Sequence, residues 1–310
     1  MIVVAGEALV DLIARWDGSI VAIPGGGPYN AARAIGRLGV PVAWIGGLSS
    51  DHFGRDLEAG LVADGVSTAL VQRTDAPTTL ALAELDASGG ASYRFYTEGT
   101  SAPAVLPGPL VDGLPAGTRA VHAGTLGFVL EPMASTLQGL VAGLPDDTLL
   151  MVDPNCRPSI TRDPAAYRAR MAVVLARADV VKVSTDDLAF LRPAEDPMTA
   201  AAWIASLGAY GVLVTDGGGS VRVLVGGRST TVDVPRVTVV DTVGAGDTLG
   251  GSLLACLVHD GVTRATVDDA AILRATRLGV RAAAIASTRA GANPPTLAEL
   301  GGWPPLPAPR

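Results

Sequence analysis

Short apolar runs rich in β-branched residues alternate along the chain with segments whose apolar positions recur every three to four residues. The run IVVAG (2–6) precedes a helical pattern over 29–39, and VAWIGG (42–47) precedes one over 52–65. The alternation continues with AVHAG (120–124) before 133–144, LLMVD (149–153) before 165–178, VVKVS (180–184) before 185–192, and a helical stretch 200–208 before GVLVTD (211–216). Strands of this kind with helices between them predict a parallel sheet covered on both faces. Gly39, Gly65, Gly208 and Gly261 each follow a helical run, where a left-handed stop is cheapest as glycine.

Two stretches break the alternation. They hold strand-like runs, turn signals at Asp17-Gly18 and Ser88-Gly89-Gly90, and no convincing helix. They predict a small β-sheet lid made of residues 9–24 and 68–102, beside an α/β core of 1–8, 25–67 and 103–310. A further hairpin within 221–235 turns at Gly226-Gly227, and the proline-rich end, 301–310, is expected on the surface. No repeat of fixed period is present.

Composition narrows the function classes. With 48% apolar and 17% charged residues the chain is a folding one, and 310 residues suffice for one large α/β unit with an appendage. A net charge of −7 disfavours nucleic acid or an anionic membrane as partner. No apolar run approaches the roughly 20 residues of a membrane span. The opening MIVVAGEALV lacks a basic region and is followed closely by Asp11, so a cytoplasmic protein without a signal peptide is expected. Cys156 and Cys256 lie far apart, and His52, His122 and His259 are scattered, which predicts buried thiols and neither a disulfide nor a zinc site. Lys182 is the only lysine, and no P-loop is present.

Candidate chemistry gathers at two glycine clusters. In DTVGAGDTLGG (241–251), the preceding VTVV (237–240) reads as a strand and 248–261 as a helix. Gly244, Ala245 and Gly246 would then leave main-chain N–H groups open at a helix N-terminus, a cradle for an anion. Asp247 enters the helix directly after it, where the helix dipole is expected to keep it ionised as a base for an alcohol; the alternative is a plain helix cap. Asp241 is either a turn residue or a cation ligand. In PGGGPYNAARAIGRLG (24–39), Gly26 and Gly27 precede a helix whose first turn carries Asn30, suited to a sugar hydroxyl or merely to a tight helix start. Neither cluster has the full GxGxxG of a dinucleotide site. His122 and Trp44 either line a pocket or fill the core.

Taken together, GGGPYNAARAIGRLG and DTVGAGDTLGGSLL resemble the two signatures of the ribokinase-like, phosphofructokinase-B type carbohydrate kinases, and the resemblance covers nearly the whole chain. GEALVDLI, FYTEGTSA, HAGTLGFVLEP, DPNCRP and GANPPTLAEL are similar to stretches of the fructokinase and 2-keto-3-deoxygluconate kinase branch. The resemblance implies a ribokinase-like three-layer α/β/α core with a mostly parallel sheet plus a small β-sheet lid. It implies Asp247 as catalytic base and Gly244, Ala245 and Gly246 as anion hole for the γ-phosphate of ATP. It further implies that Asp11, Gly26, Gly27, Asn30 and Arg157 hold the sugar, and that Ser184, Thr215 and Gly217 lie along ATP. Asp187 would organise Mg2+ through water, and Asp241 with residues 287–291 would hold K+. Two departures stand out: Ser184-Thr185-Asp186-Asp187 replaces an N-x-x-E pattern, shortening its acid, and Thr97 stands where many relatives carry arginine. On the lid, Tyr93, Arg94, Phe95 and Glu98 remain available, although strand alternation turns some of them away.

The expected function is ATP-dependent phosphorylation of fructose or a related ketose or keto-acid sugar, by a homodimer paired through the lids. A nucleoside or hydroxymethylpyrimidine kinase on the same fold is the alternative, disfavoured by a 4% aromatic content that offers little to stack a base. A nicotinamide-dependent oxidoreductase and a sugar-binding regulator without turnover are the readings from other classes.

Overall fold

Ile2 and Val4 face one side of a central strand and Val3 and Ala5 the other, all fully buried, so four consecutive apolar residues serve two separate cores. The computed structural model describes residues 1–15, 17–85, 91–107 and 113–305. The expected turn at Ser88-Gly89-Gly90, the Tyr93 side chain and the chain's last residues lie outside what is described.

In chain order the elements are β1 (Ile2–Ala5), β2 (Leu9–Ala14), β3 (Ile20–Gly25), α1 (Gly27–Arg37), β4 (Val42–Ile45), β5 (Gly47–Ser49), α2 (His52–Ala63) and β6 (Val66–Ser67). Then follow β7 (Gln72–Thr74), β8 (Leu80–Leu85), β9 (Ala91–Tyr96), β10 (Ala120–Gly124), a single 3-10 turn (Thr125–Phe128) and α3 (Met133–Ala142). The rest comprises β11 (Leu149–Asp153), α4 (Pro164–Arg177), β12 (Val180–Ser184), α5 (Thr185–Leu191), α6 (Pro197–Leu207) and β13 (Gly211–Thr215). It ends with β14 (Val221–Val225), β15 (Arg228–Val232), α7 (Ala245–His259) and α8 (Asp269–Ala286).

A nine-stranded sheet runs β15-β14-β13-β12-β11-β10-β1-β4-β6. Every pairing from β13 to β6 is parallel, and only β14 opposes its neighbours. Helices α1, α2, α7 and α8 pack on the face of Ile2 and Val4, and α3 to α6 on the face of Val3 and Ala5. The three-layer α/β/α core is thus present. Gly39, Gly65, Gly208 and Gly261 all have positive φ at helix ends, between 77° and 135°.

The lid is a four-stranded sheet, β3-β2-β8-β9. Its Leu9 and Ala81 pack on Leu126 of the core, with Phe95 and Ile160 alongside. Gln72–Thr74, inside the segment expected in the lid, pairs instead with Gly47–Ser49 in a separate two-stranded sheet.

Two local expectations are corrected. VTVV (237–240) is no strand: it is an irregular segment with Val239 58% and Val240 61% exposed, because no neighbouring strand is available to pair with it. The Ala-rich stretch 269–286, absent from the expected elements, forms the longest helix described, α8, packed on α7.

Candidate active site

The carboxyl ends of β1, β10, β11 and β12 carry Gly6, Gly124, Asp153 and Ser184, and the N-terminal turns of α1 and α7 come together above this edge. Between these turns and the lid lies a cavity of about 450 Å³. Of the residues singled out in the sequence, Asp11, Gly26, Gly27, Asn30, Arg157, Asp241, Gly244, Gly246 and Asp247 line it. Residues 217 positions apart, such as Asn30 and Asp247, are brought into contact by the crossing of α1 and α7.

The helix starts differ in a telling way. Helices α2, α4, α5, α6 and α8 are each capped by an Asp or Ser side chain, at Asp51, Asp163, Ser184, Asp196 and Asp268. No side chain caps α1, α3 or α7, and of these three starts only those of α1 and α7 open onto the cavity. Asp247 therefore does not serve as a cap. Its Oδ2 accepts a hydrogen bond from Asn30 Nδ2 at 2.9 Å. The uncapped N–H groups and the partial positive charge of α7 face the cavity, which is the physical requirement for holding an anion. Gly244 begins this turn at φ 73°, and a Cβ there would lie 2.6 Å from the Ala292 Cβ, so only glycine fits. The Ala245 N–H is spent on Thr242 O at 3.2 Å, and Ala245 does not line the cavity.

The acidity of Asp247 depends on neighbours that the sequence does not reveal. Burial first, and the Asp153 charge second, raise its pKa to about 6, against the lowering effects of the Asn30 hydrogen bond, Lys182 and Arg157. Near neutral pH it remains mostly ionised, and it is a stronger base than an exposed aspartate. On the lid strand β2, burial likewise raises Asp11 to about 6, with Arg157 opposing.

Several residues of the site were not picked out in the sequence. Glu7 is fully buried, and its Oε1 accepts the Gly27 N–H at 3.1 Å while Oε2 has no partner. Burial raises its pKa to about 8, so it is protonated at neutral pH. Thr125 and Asn155, at the ends of β10 and β11, both adopt positive φ, 51° and 39°. Left-handed backbone is costly for non-glycine residues and above all for a β-branched one, and such strain concentrates at functional sites. Asn155 Nδ2 donates to Thr125 Oγ1 at 3.3 Å, and a Cβ on Gly27 would meet Thr125 Oγ1, Asp247 Oδ1 and Asn155 Nδ2 together. Three polar groups thus converge on the glycine that opens α1. Only the positive φ of Asn155 has any signal in the sequence, since asparagine tolerates it best.

Beneath α7, Lys182 Nζ donates to Asp153 Oδ2 at 2.9 Å, both side chains under 10% exposed. Burial works against the lysine charge, but Asp153, then Asp187 and Asp247, hold its pKa above the ordinary value. His122 lies buried near Gly250 without a hydrogen-bond partner, and burial, then Lys182, lower its pKa to about 4, leaving it neutral. Trp44 is fully buried core. Cys156 and Cys256 are buried free thiols.

Ser184, Asp187, Thr215 and Gly217 lie outside the cavity. Ser184 caps α5, Thr215 Oγ1 donates to Val183 O at 3.3 Å, and Gly217 is exposed with φ 52°; together they form a strip at the ends of β12 and β13. Asp187 is 4% exposed, and both its oxygens are occupied by protein donors. Asp241 Oδ1 accepts the Val243 N–H and Oδ2 the Gly291 N–H, tying residues 241–243 to the loop after α8. On the lid, Phe95 faces the cavity while Arg94 is exposed; Thr97 and Glu98 line a different groove, where Glu98 pairs with Arg162.

Comparison with known proteins agrees with this architecture. Residues 1–299 match the model of the pfkB family carbohydrate kinases. The fructokinase of Rhizobium leguminosarum bv. trifolii is 34% identical over 264 residues, 84% of this chain and 80% of that protein. The Xylella fastidiosa fructokinase, solved with bound ATP, is similar with a TM-score of 0.88 at 28% identity over 96% of each chain. A double mutant of the Vibrio cholerae O395 fructokinase, solved in fructose-, ADP- and potassium-ion-bound form, gives 0.85 at 25% identity over 97% of each. With that similarity running from the first residue to the last helix, the chain belongs to the pfkB family of carbohydrate kinases.

Proposed function

We propose that this sugar kinase transfers the γ-phosphoryl group of MgATP to a primary hydroxyl of fructose. The observation that carries the reading is the Asp247 carboxylate, uninvolved in capping and oriented by Asn30, beside an uncapped helix start in a cavity beneath the lid. The sugar oxygen forms the new bond to phosphorus as the bond to the bridging oxygen of ADP breaks, and the hydroxyl proton passes to Asp247. Gly244 and Gly246, with the amides of the α7 start, stabilise the charge on the phosphoryl oxygens. Asp11, Gly26, Gly27, Asn30 and Arg157 bind the sugar, joined by Thr125 and Asn155. Ser184, Thr215 and Gly217 lie along the nucleotide.

A neutral sugar suits the cavity better than a sugar acid. Asp11, Asp241 and Asp247 line it against Arg157 and Lys182, Glu7 being protonated, and Lys182 is already paired with Asp153. Arg157 keeps 2-keto-3-deoxygluconate as the alternative substrate, because its guanidinium also faces the cavity.

Magnesium arrives with ATP as part of the substrate. Among the described residues no group of three or more His, Cys, Asp and Glu is gathered to hold a metal. Asp187, buried off the cavity with three protein donors on its two oxygens, does not fit the magnesium role. Asp241 and the main chain of 287–291 are oxygen donors in a half-buried setting, and they fit a potassium ion that would pin the segment before α7 to the loop after α8.

The lid, 9–24 and 68–102 without the paired strand β7, closes over the sugar and excludes water from the phosphoryl transfer. Strands β3 and β9 are its open edges, and two copies pair through them as a homodimer. No helix among the described residues is long and apolar enough to cross a membrane. A cytoplasmic setting, where MgATP is available, belongs to the same proposal. The test is ADP release from MgATP over a panel of fructose, 2-keto-3-deoxygluconate, ribose and nucleosides. Turnover with fructose at least tenfold above the others is expected; preference for a nucleoside overturns the reading.

A further inference from the structure

Asp187 stands at the place of the acid that the resembling kinases use toward magnesium, yet its surroundings describe another task. Oδ1 accepts the Cys156 N–H at 2.6 Å, and Oδ2 accepts the N–H and the hydroxyl of Ser184 at 2.7 Å each. The Ser184 hydroxyl also accepts the Asp187 N–H, completing a capping box at the start of α5. The residue is 4% exposed and does not line the cavity. A carboxylate holding three short charge-assisted hydrogen bonds has little left for a hydrated cation.

Cys156 belongs to the loop that follows β11 and carries the sugar-facing side chains Asn155 and Arg157. That loop is internally braced: Arg157 Nη1 donates to Asn155 Oδ1 at 2.6 Å and to the carbonyls of Asn155 and Cys156. It is also strained, with Asn155 at φ 39°. A strained conformation persists only where neighbours over-determine it. The Cys156 N–H bond to Asp187 ties the main chain of this braced unit to α5, one residue from the strained position.

We propose that Asp187 is a positioning residue for the sugar site: through the Cys156 N–H it fixes the loop bearing Asn155 and Arg157, and it does so in place of organising magnesium. The proposal rests on reading the cleft as a sugar kinase site. The short acid is part of the device. An aspartate at this position reaches the capping box and the loop at once, whereas a glutamate, longer by one methylene, would displace the Cys156 amide.

The test uses the full chain and the variants Asp187→Asn and Asp187→Glu, with KM for fructose, KM for MgATP, and turnover against free Mg2+ at fixed MgATP. In both variants the fructose KM rises about tenfold, the worth of one charge-assisted hydrogen bond. The MgATP KM and the free-Mg2+ curve stay within about twofold of the parent. A shifted Mg2+ curve with an unchanged fructose KM overturns the proposal, as does a parallel loss in all three quantities. Should the variants not fold, hydrogen exchange in the parent chain decides. Fructose alone should slow exchange in the 154–161 segment and Mg2+ alone should not, and the reverse pattern overturns the proposal. A parent chain that phosphorylates no sugar sinks the kinase reading itself, whereas active parent and unaffected variants sink only the role of Asp187.

Discussion

Replacing Asn30 by leucine removes the hydrogen bond that Asn30 Nδ2 gives the Asp247 carboxylate at 2.9 Å, and replaces a buried amide by an apolar group of similar size. Asn30 Oδ1 has no partner, so the substitution strands no protein donor, but it leaves the buried Asp247 Oδ2 without its hydrogen bond, a cost the carboxyl relieves by taking up a proton. The effect falls on protonation. The Asn30 bond lowers the Asp247 pKa, which burial and Asp153 have raised to about 6. A hydrogen bond to a charged group is worth about 1.5 kcal/mol, and one pKa unit is about 1.4 kcal/mol, so its loss moves the group up by about one unit. Because the base acts only when ionised, activity is present above the pKa and lost as pH falls through it. The parent kcat/KM for fructose should reach half its plateau near pH 6, where Asp247 and the lid residue Asp11 both titrate. In Asn30→Leu the half-point should move up by about one unit. Normalising each profile to its plateau separates this shift from any lost contact between Asn30 and the sugar. The assay is coupled ADP release from pH 5 to 9 at subsaturating fructose. A profile that keeps its half-point while the plateau falls would refute the argument that Asn30 sets the ionisation of Asp247.

Three other outcomes follow from the same geometry. Glu7, raised to about 8 by burial, is neutral below that pH and places a second negative charge near Asp247 above it. The parent profile should therefore fall on the alkaline side near pH 8, and Glu7→Gln, which keeps an acceptor for the Gly27 N–H, should flatten that limb. The linkage has the matching sign: a carboxyl raised in the fold loses stability as pH rises through its folded pKa, so Glu7→Gln should narrow the drop in melting temperature between pH 6 and 9. Gly244→Ala forces alanine to φ 73° and against Ala292, costing about 1–2 kcal/mol in backbone strain alone; kcat should fall at least tenfold with fructose affinity preserved, measured by calorimetry. Lys182→Met leaves Asp153 unpaired in the interior and should lose about 3–5 kcal/mol in urea unfolding, whereas Lys182→Met with Asp153→Asn should recover most of it.

The layering was legible because it rests on short-range patterns. Runs such as IVVAG and LLMVD bury both faces, and Gly39, Gly65, Gly208 and Gly261, which follow helices, carry positive φ. The Ala-rich α8 carries a helical pattern too, with buried Ile272, Ala275, Gly279, Ala282 and Ala286 three or four positions apart. VTVV misled: β-branching favours extended backbone, but a strand also needs a partner, and 237–240 has none. Around the cleft, Asp247, Asn30 and the glycines could be named because the glycine-led helix starts are local. Glu7, Thr125 and Asn155 come from the ends of separate strands, and only the sheet order brings them to Gly27. The raised pKa of Asp247 was hidden because its causes, burial and Asp153, are tertiary. For Asp187 the motif position implied a metal through water, and its hydrogen bonds to Cys156 and Ser184 come into view only in the fold.

The central claim is that Asp247 takes the proton from the sugar hydroxyl, and Asp247→Asn tests it most directly. With fructose and ATP dissociation constants measured by calorimetry beside steady-state turnover, the account predicts both affinities within about threefold of the parent and kcat lower by about 10²-fold to 10⁴-fold. Turnover within tenfold of the parent, or a loss explained wholly by weaker binding, would contradict it.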